Sequence, residues 1–116
     1  MTMLTADEID HYRNKGYISS VNALTSNEAK DIRNEIEKIE KNWPGALEGI
    51  NRNYVHLISP ILNKVCLNKN ILDAVESIIG KNILICGTTL FIKEKKEKGF
   101  VSFHQDAKYI GLEPHN

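Results

Sequence analysis

Apolar residues recur at intervals of three and four up to Gly80, and alternate after Ile83. A chain with one such switch of period is expected to build helices first and strands second, an α+β arrangement. The helical part is punctuated clearly. In Leu4-Thr5-Ala6-Asp7-Glu8-Ile9, Thr5 can cap a helix, Glu8 stands three residues on as its capping-box partner, and Leu4 can staple to Ile9. Gly16 is the matching stop. Leu24-Thr25-Ser26-Asn27-Glu28 repeats the cap, and Ala29, Ile32, Ile36, Ile39 and Trp43 then form one apolar stripe, ended by Pro44-Gly45. Ser59-Pro60 reads as a cap followed by proline at the first helical position, with a short helix through Leu67. Asn70 is expected to cap a fourth helix, with Ile71, Leu72, Val75, Ile78 and Ile79 as its buried face and Gly80 as its stop. Residues 17–21 suggest a short strand, and residues 46–57 an irregular loop.

Beyond the switch, residues 83–93 read as a long strand and residues 100–109 as a second. Ile83, Ile85, Thr89 and Phe91 would face one way, and Leu84, Cys86, Leu90 and Ile92 the other. Both faces are apolar, which predicts cover on both sides. Gly87 marks a bulge or a close backbone approach. Residues 93–99 form a charged connection.

The 116 residues are enough for one domain. Fifteen basic and fifteen acidic residues cancel, which argues against nucleic acid or an anionic membrane as a partner. No apolar run approaches a membrane span, and the first residues lack the basic start and apolar core of a secretory leader. Cys66 and Cys86 have no C-x-x-C spacing and no glycosylation sequon occurs, so a reduced, cytoplasmic setting is expected.

The chemistry lies in the second predicted strand. His104 and Asp106 are two residues apart and share a face if the strand is regular. An imidazole and a carboxylate side by side are two of the three ligands of the 2-His-1-carboxylate triad that holds non-haem Fe(II). The longer string Phe100-Val101-Ser102-Phe103-His104-Gln105-Asp106, with Tyr109 and Gly111-Leu112-Glu113-Pro114 following, resembles the metal-binding signature of the phytanoyl-CoA dioxygenase family. Leu4-Thr5, Gly16-Tyr17, Gly80 and Phe91-Ile92-Lys93 are similar to that family's earlier landmarks, so the resemblance covers nearly the whole chain.

The resemblance implies an Fe(II)- and 2-oxoglutarate-dependent hydroxylase acting on a small-molecule substrate. It implies a double-stranded β-helix, or jelly roll, with helices packed on one sheet. Residues 1–116 would then be the N-terminal part of one such domain, a helical layer in 1–80 and the first barrel strands in 81–116. His104 and Asp106 would ligate iron, and Gln105 and Thr89 would lie against 2-oxoglutarate. Halogenating relatives carry a small residue where Asp106 stands, so a carboxylate there implies hydroxylation.

The family pattern also asks for a second ligating His and a later Arg. After Asp106 the only His is His115, near the last residue, and no Arg follows Arg52. His11 reads as a helix-surface residue; His56 falls where relatives sometimes place a cosubstrate contact, and a structural role fits it as well. The expectation is therefore a truncated oxygenase, inactive by itself. The alternative is a non-enzymatic α+β binding or dimerisation module derived from that family. A third reading, a cupin-like dioxygenase, would need more His ligands than the chain has. Strands left unpaired at an edge would invite a second copy of the chain.

Overall fold

A computed structural model describes residues 3–93, 95–106, 110 and 111. Four α-helices occupy the first eighty residues: α1 (Ala6–Lys15), α2 (Ser26–Asn42), α3 (Pro60–Cys66) and α4 (Lys69–Ile79). Both capping boxes form. The Thr5 hydroxyl accepts from the Glu8 N–H at 3.3 Å while the Glu8 carboxylate accepts from the Thr5 N–H at 2.7 Å. Thr25 and Glu28 repeat this at 3.2 and 2.7 Å. The capped backbone N–H, and after it the threonine hydroxyl, hold each glutamate below its usual range. Gly16 closes α1 in the left-handed region at φ 81°, its N–H donating to the Tyr12 carbonyl. The cap of α4 is Asn68 rather than Asn70: its Oδ1 accepts from the N–H groups of Asn70 and Ile71 at 2.8 and 3.2 Å, which leaves Asn70 inside the first turn.

The core is small. Ile39 of α2 and Leu62 of α3 are buried together with Leu47 and Val55, which come from the segment joining those helices. That segment, expected to be irregular, contains two 3-10 turns, Gly49–Arg52 and Val55–Leu57. Ile32, Ile36, Ile61, Leu90 and Ile92 pack around this centre. The predicted stripe of α2 thus holds from Ile32 to Ile39, whereas Ala29 and Trp43 at its ends are exposed. On α4 the expected face is half-buried at Ile71, Leu72, Val75 and Ile78, whereas Ile79 is exposed and the fully buried residues are Asp73 and Ala74. Lys69 meets both Asp73 carboxylate oxygens, at 2.6 and 2.8 Å, and so compensates the buried charge.

The strands are a correction. Among the described residues the chain is helical and has no β-strand, so the expected jelly roll with helices packed on its sheet is not what it builds. The only ladder element among them is an isolated antiparallel bridge between Asn53 and Thr89. Residues 83–93 do alternate in burial, Ile83 and Ile85 being half-buried and then Thr88, Leu90 and Ile92, with the phase slipping at Gly87. The slip puts Leu90 and Ile92 on the same side as Ile83 and Ile85, against expectation. Alternation tells which side of an extended segment is buried; a strand also needs a partner along its length. Here only residues 52–54 supply one: Tyr54 N–H donates to the Thr88 carbonyl at 2.6 Å, and Leu90 N–H to the Arg52 carbonyl at 3.0 Å. Residues 17–21 likewise form no strand, with Ser20 at a φ of 68°. Residues 100–106 are exposed throughout and form no strand, while the rest of that predicted strand, 107–109, and the signature positions Leu112, Glu113 and Pro114 lie outside the described residues. The radius of gyration is 16.2 Å, against about 13 Å for a compact domain of roughly this length. The helices close a core that Leu90 and Ile92 join, while residues 95–106 are exposed.

Candidate metal centre

His104 and Asp106 meet without a sheet to hold them. The imidazole Nε2 lies 3.0 Å from Asp106 Oδ1. The other ring nitrogen, Nδ1, lies 2.8 Å from the Ser102 carbonyl oxygen. A carbonyl can only accept, so Nδ1 carries the proton and Nε2 is the nitrogen turned to the carboxylate. Residues two apart on extended backbone bring both contacts about with no distant partner. The Ser102 carbonyl does most to raise the His104 pKa; desolvation lowers it by less, and Asp106 raises it further. The side chains are 40% and 77% exposed, so the pair is open to solvent and to an ion.

Two donors bound cis to an octahedral metal at about 2.1 Å stand about 3.0 Å apart. The His104–Asp106 separation matches that edge, and a His whose second nitrogen is fixed on a backbone carbonyl is the usual arrangement of a metal ligand. The donor set, one imidazole and one carboxylate, suits Fe(II). Among the described residues no group of three His, Cys, Asp or Glu side chains is placed to hold a metal. His115, the one later His, lies outside the described residues, as does Tyr109.

The remaining predicted site residues fall apart into different settings. Gln105 is exposed between His104 and Asp106. Thr89 belongs to a separate open cavity of about 470 Å³, walled by Arg52, Asn53, Phe91, Lys93 and Phe100 among others. Its hydroxyl donates to Asn53 Oδ1 at 2.9 Å, at the bridge that ties residue 53 to residue 89. Neither His104 nor Asp106 lines this cavity. Arg52 is the residue that sequence reasoning passed over. Its Nε–H donates to the Leu47 carbonyl at 2.9 Å, and the rest of the guanidinium is available beside Thr89 and Lys93. Its scarcity was the signal: it is one of three arginines and the last in the chain.

The other histidines have structural settings. His56 Nδ1 lies 2.7 Å from the Thr88 hydroxyl, and the His56 N–H donates to the same oxygen at 3.3 Å, fastening the second 3-10 turn to the extended segment. His11 is exposed on α1, edge-on to the Tyr17 ring with centroids 5.3 Å apart. Cys66 is half-buried and Cys86 exposed, both as free thiols. Among the described residues no helix is long and apolar enough to cross a membrane. Compared with protein-family models, curated proteins and solved structures, the chain matches none.

Proposed function

We propose that this chain carries the metal-binding segment of an Fe(II)- and 2-oxoglutarate-dependent hydroxylase similar to the phytanoyl-CoA dioxygenases, acting in the cytoplasm on a small molecule. The observation that supports it is the 3.0 Å spacing of His104 Nε2 and Asp106 Oδ1, with Nδ1 fixed on the Ser102 carbonyl. His104 and Asp106 would hold the iron. Bound iron and 2-oxoglutarate would supply the activation of dioxygen that hydroxylation needs. Ser102 keeps the His104 ring in the ligating tautomer, so that a cation replaces a proton between Nε2 and Oδ1. Arg52 and Lys93 offer positive charge for a carboxylate of 2-oxoglutarate, and Thr89 and Asn53 offer polar contacts beside them. The second reading, a binding module without catalysis, is favoured by the ligand count, since two donors hold a metal loosely.

Mn(II), a paramagnetic stand-in for Fe(II), tests the metal reading. Titrated into the isotope-labelled chain, it is expected to broaden the resonances of residues 102–106 first, and much less in the Asp106→Ala variant. Adding 2-oxoglutarate should then shift Thr89 and Arg52. Broadening spread evenly over the surface acids, unchanged by Asp106→Ala, would sink the proposal.

A further inference from the structure

Arg52 is a half-buried cation, and among the described residues no carboxylate lies within ion-pair distance of it. Glu40 and Glu48 share a neighbouring cleft with it, yet neither pairs with it. The residue is fixed at both its backbone and its side chain. Its carbonyl accepts from the Leu90 N–H at 3.0 Å, and its Nε–H donates to the Leu47 carbonyl at 2.9 Å. Leu47 is a core residue and Leu90 packs against the core, so both anchors are themselves held. With Nε engaged, the two Nη groups remain, and together they can meet both oxygens of a carboxylate. A guanidinium already held in place loses little freedom when an anion binds.

The cavity beside Arg52 measures about 470 Å³. Small-molecule sites run from roughly 300 to 1,000 Å³ and combine apolar walls with a few polar groups. Here Arg52 and Lys93 share the wall with one carboxylate, Glu97, which leaves one net positive charge. That balance matches a single carboxylate and is exceeded by a phosphate group, which carries about −1.5 to −2 at neutral pH. Phe91 and Phe100 line the same cavity and are 84% and 86% exposed. A wholly polar anion would leave these rings in water, whereas an apolar body on the anion would cover them.

We propose that this cavity binds a small monocarboxylic acid with an apolar body. Its carboxylate takes the Arg52 Nη groups with Lys93 as the second cation, and its body lies against Phe91 and Phe100. The site is separate from His104 and Asp106, neither of which lines it, and its occupation needs no metal. The cosubstrate reading puts a carboxylate of 2-oxoglutarate on the same cations, so the two acids compete; the apolar body is what 2-oxoglutarate lacks.

The test is a titration of 3-phenylpropionate into the isotope-labelled, metal-free 116-residue chain, followed by nuclear magnetic resonance. Saturable shifts are expected at Arg52, Thr89, Phe91 and Phe100. 3-Phenylpropan-1-ol, which keeps the body without the charge, and propionate, which keeps the charge without the ring, should each bind at least about tenfold more weakly. Arg52→Gln should weaken 3-phenylpropionate by more than about tenfold. Because that change also removes the bond to the Leu47 carbonyl, the exposed positions Lys93 and Phe100 supply variants that leave the core untouched. Lys93→Gln and Phe100→Ala should each weaken binding by about threefold or more with an unchanged helical circular dichroism spectrum, and Phe100→Ala should leave propionate as it was. An alcohol that binds as well as the acid, shifts confined to the lysines of residues 95–98, or binding indifferent to either exposed variant would overturn the proposal. Shifts from 3-phenylpropionate without any from 2-oxoglutarate would support this site and remove the cosubstrate from it. Shifts from 2-oxoglutarate alone would overturn this site and leave the cosubstrate reading standing.

Discussion

The Tyr54 ring lies 3.2 Å from the point where a β-carbon on Gly87 would stand. This contact locates the phase slip in residues 83–93. Tyr54 sits in the left-handed region at φ 57°, with its N–H bonded to the Thr88 carbonyl, so its backbone has little freedom to move aside. A side chain at position 87 must displace the ring by a few tenths of an ångström. Gly87→Val is expected to destabilise the fold by about 1–2 kcal/mol. In a Tyr54→Ala background the same change should cost less by at least about 0.5 kcal/mol, because the obstacle is gone. Urea denaturation of the four proteins measures the coupling, and strict additivity would remove the contact as the cause.

The capping boxes predict an acid-sensitive component of stability. Hydrogen bonds from the capped N–H and the threonine hydroxyl lower the folded pKa of Glu8 and Glu28 from the ordinary 4.5. A lowered carboxylate pKa gives stability that is full above the unfolded value and is lost as pH falls through the folded one. The thermal midpoint should therefore fall as pH drops below about 4.5. Glu8→Gln with Glu28→Gln should flatten that fall. At neutral pH, Thr25→Ala is expected to cost about 1 kcal/mol, since it removes the acceptor for the Glu28 N–H.

The helical half was legible because its signals are local. Thr5 with Glu8, Thr25 with Glu28, Gly16, and Ser59 with Pro60 each act within four residues, and each operates as expected. Asn68 in place of Asn70 is a contest between two similar caps two residues apart, decided by which one lies outside the helical turn. The strands were misread for a different reason. Residues 83–93 carry the alternation of a strand, but pairing is non-local, and no alternation can announce that the partner among the described residues is the short stretch at residues 52–54. The site divides the same way. His104 and Asp106 meet because two residues of extended backbone suffice, whereas the placing of Arg52 beside Thr89 depends on a bridge between positions far apart in sequence.

Because so few side chains are buried, each matters. Leu47 is 2% exposed, although it lies outside every helix. Leu47→Ala is expected to cost about 2–5 kcal/mol, a large share of what so small a core provides. Trp43→Ala, at an exposed residue at the end of the predicted stripe, should change stability by no more than about 0.5 kcal/mol. Equal losses at the two positions would mean that the core lies elsewhere.

The last prediction concerns catalysis by the chain as it stands. His104 and Asp106 would be two ligands on an open segment, and metal affinity depends on ligand number and on a geometry set before binding. Fe(II) should therefore bind weakly, and 2-oxoglutarate should find charge at Arg52 and Lys93 in a cavity that neither metal ligand lines. Bound apart from the iron, the cosubstrate is not positioned for decarboxylation, since rate depends on holding the reacting groups in contact. The 116-residue protein with Fe(II), ascorbate and 2-oxoglutarate is expected to release succinate no faster than the same mixture containing the Asp106→Ala variant. Succinate measured by chromatography decides the matter. A rate well above that control would show that a further ligand reaches the iron, and loss of that rate in His115→Ala would identify the ligand as His115.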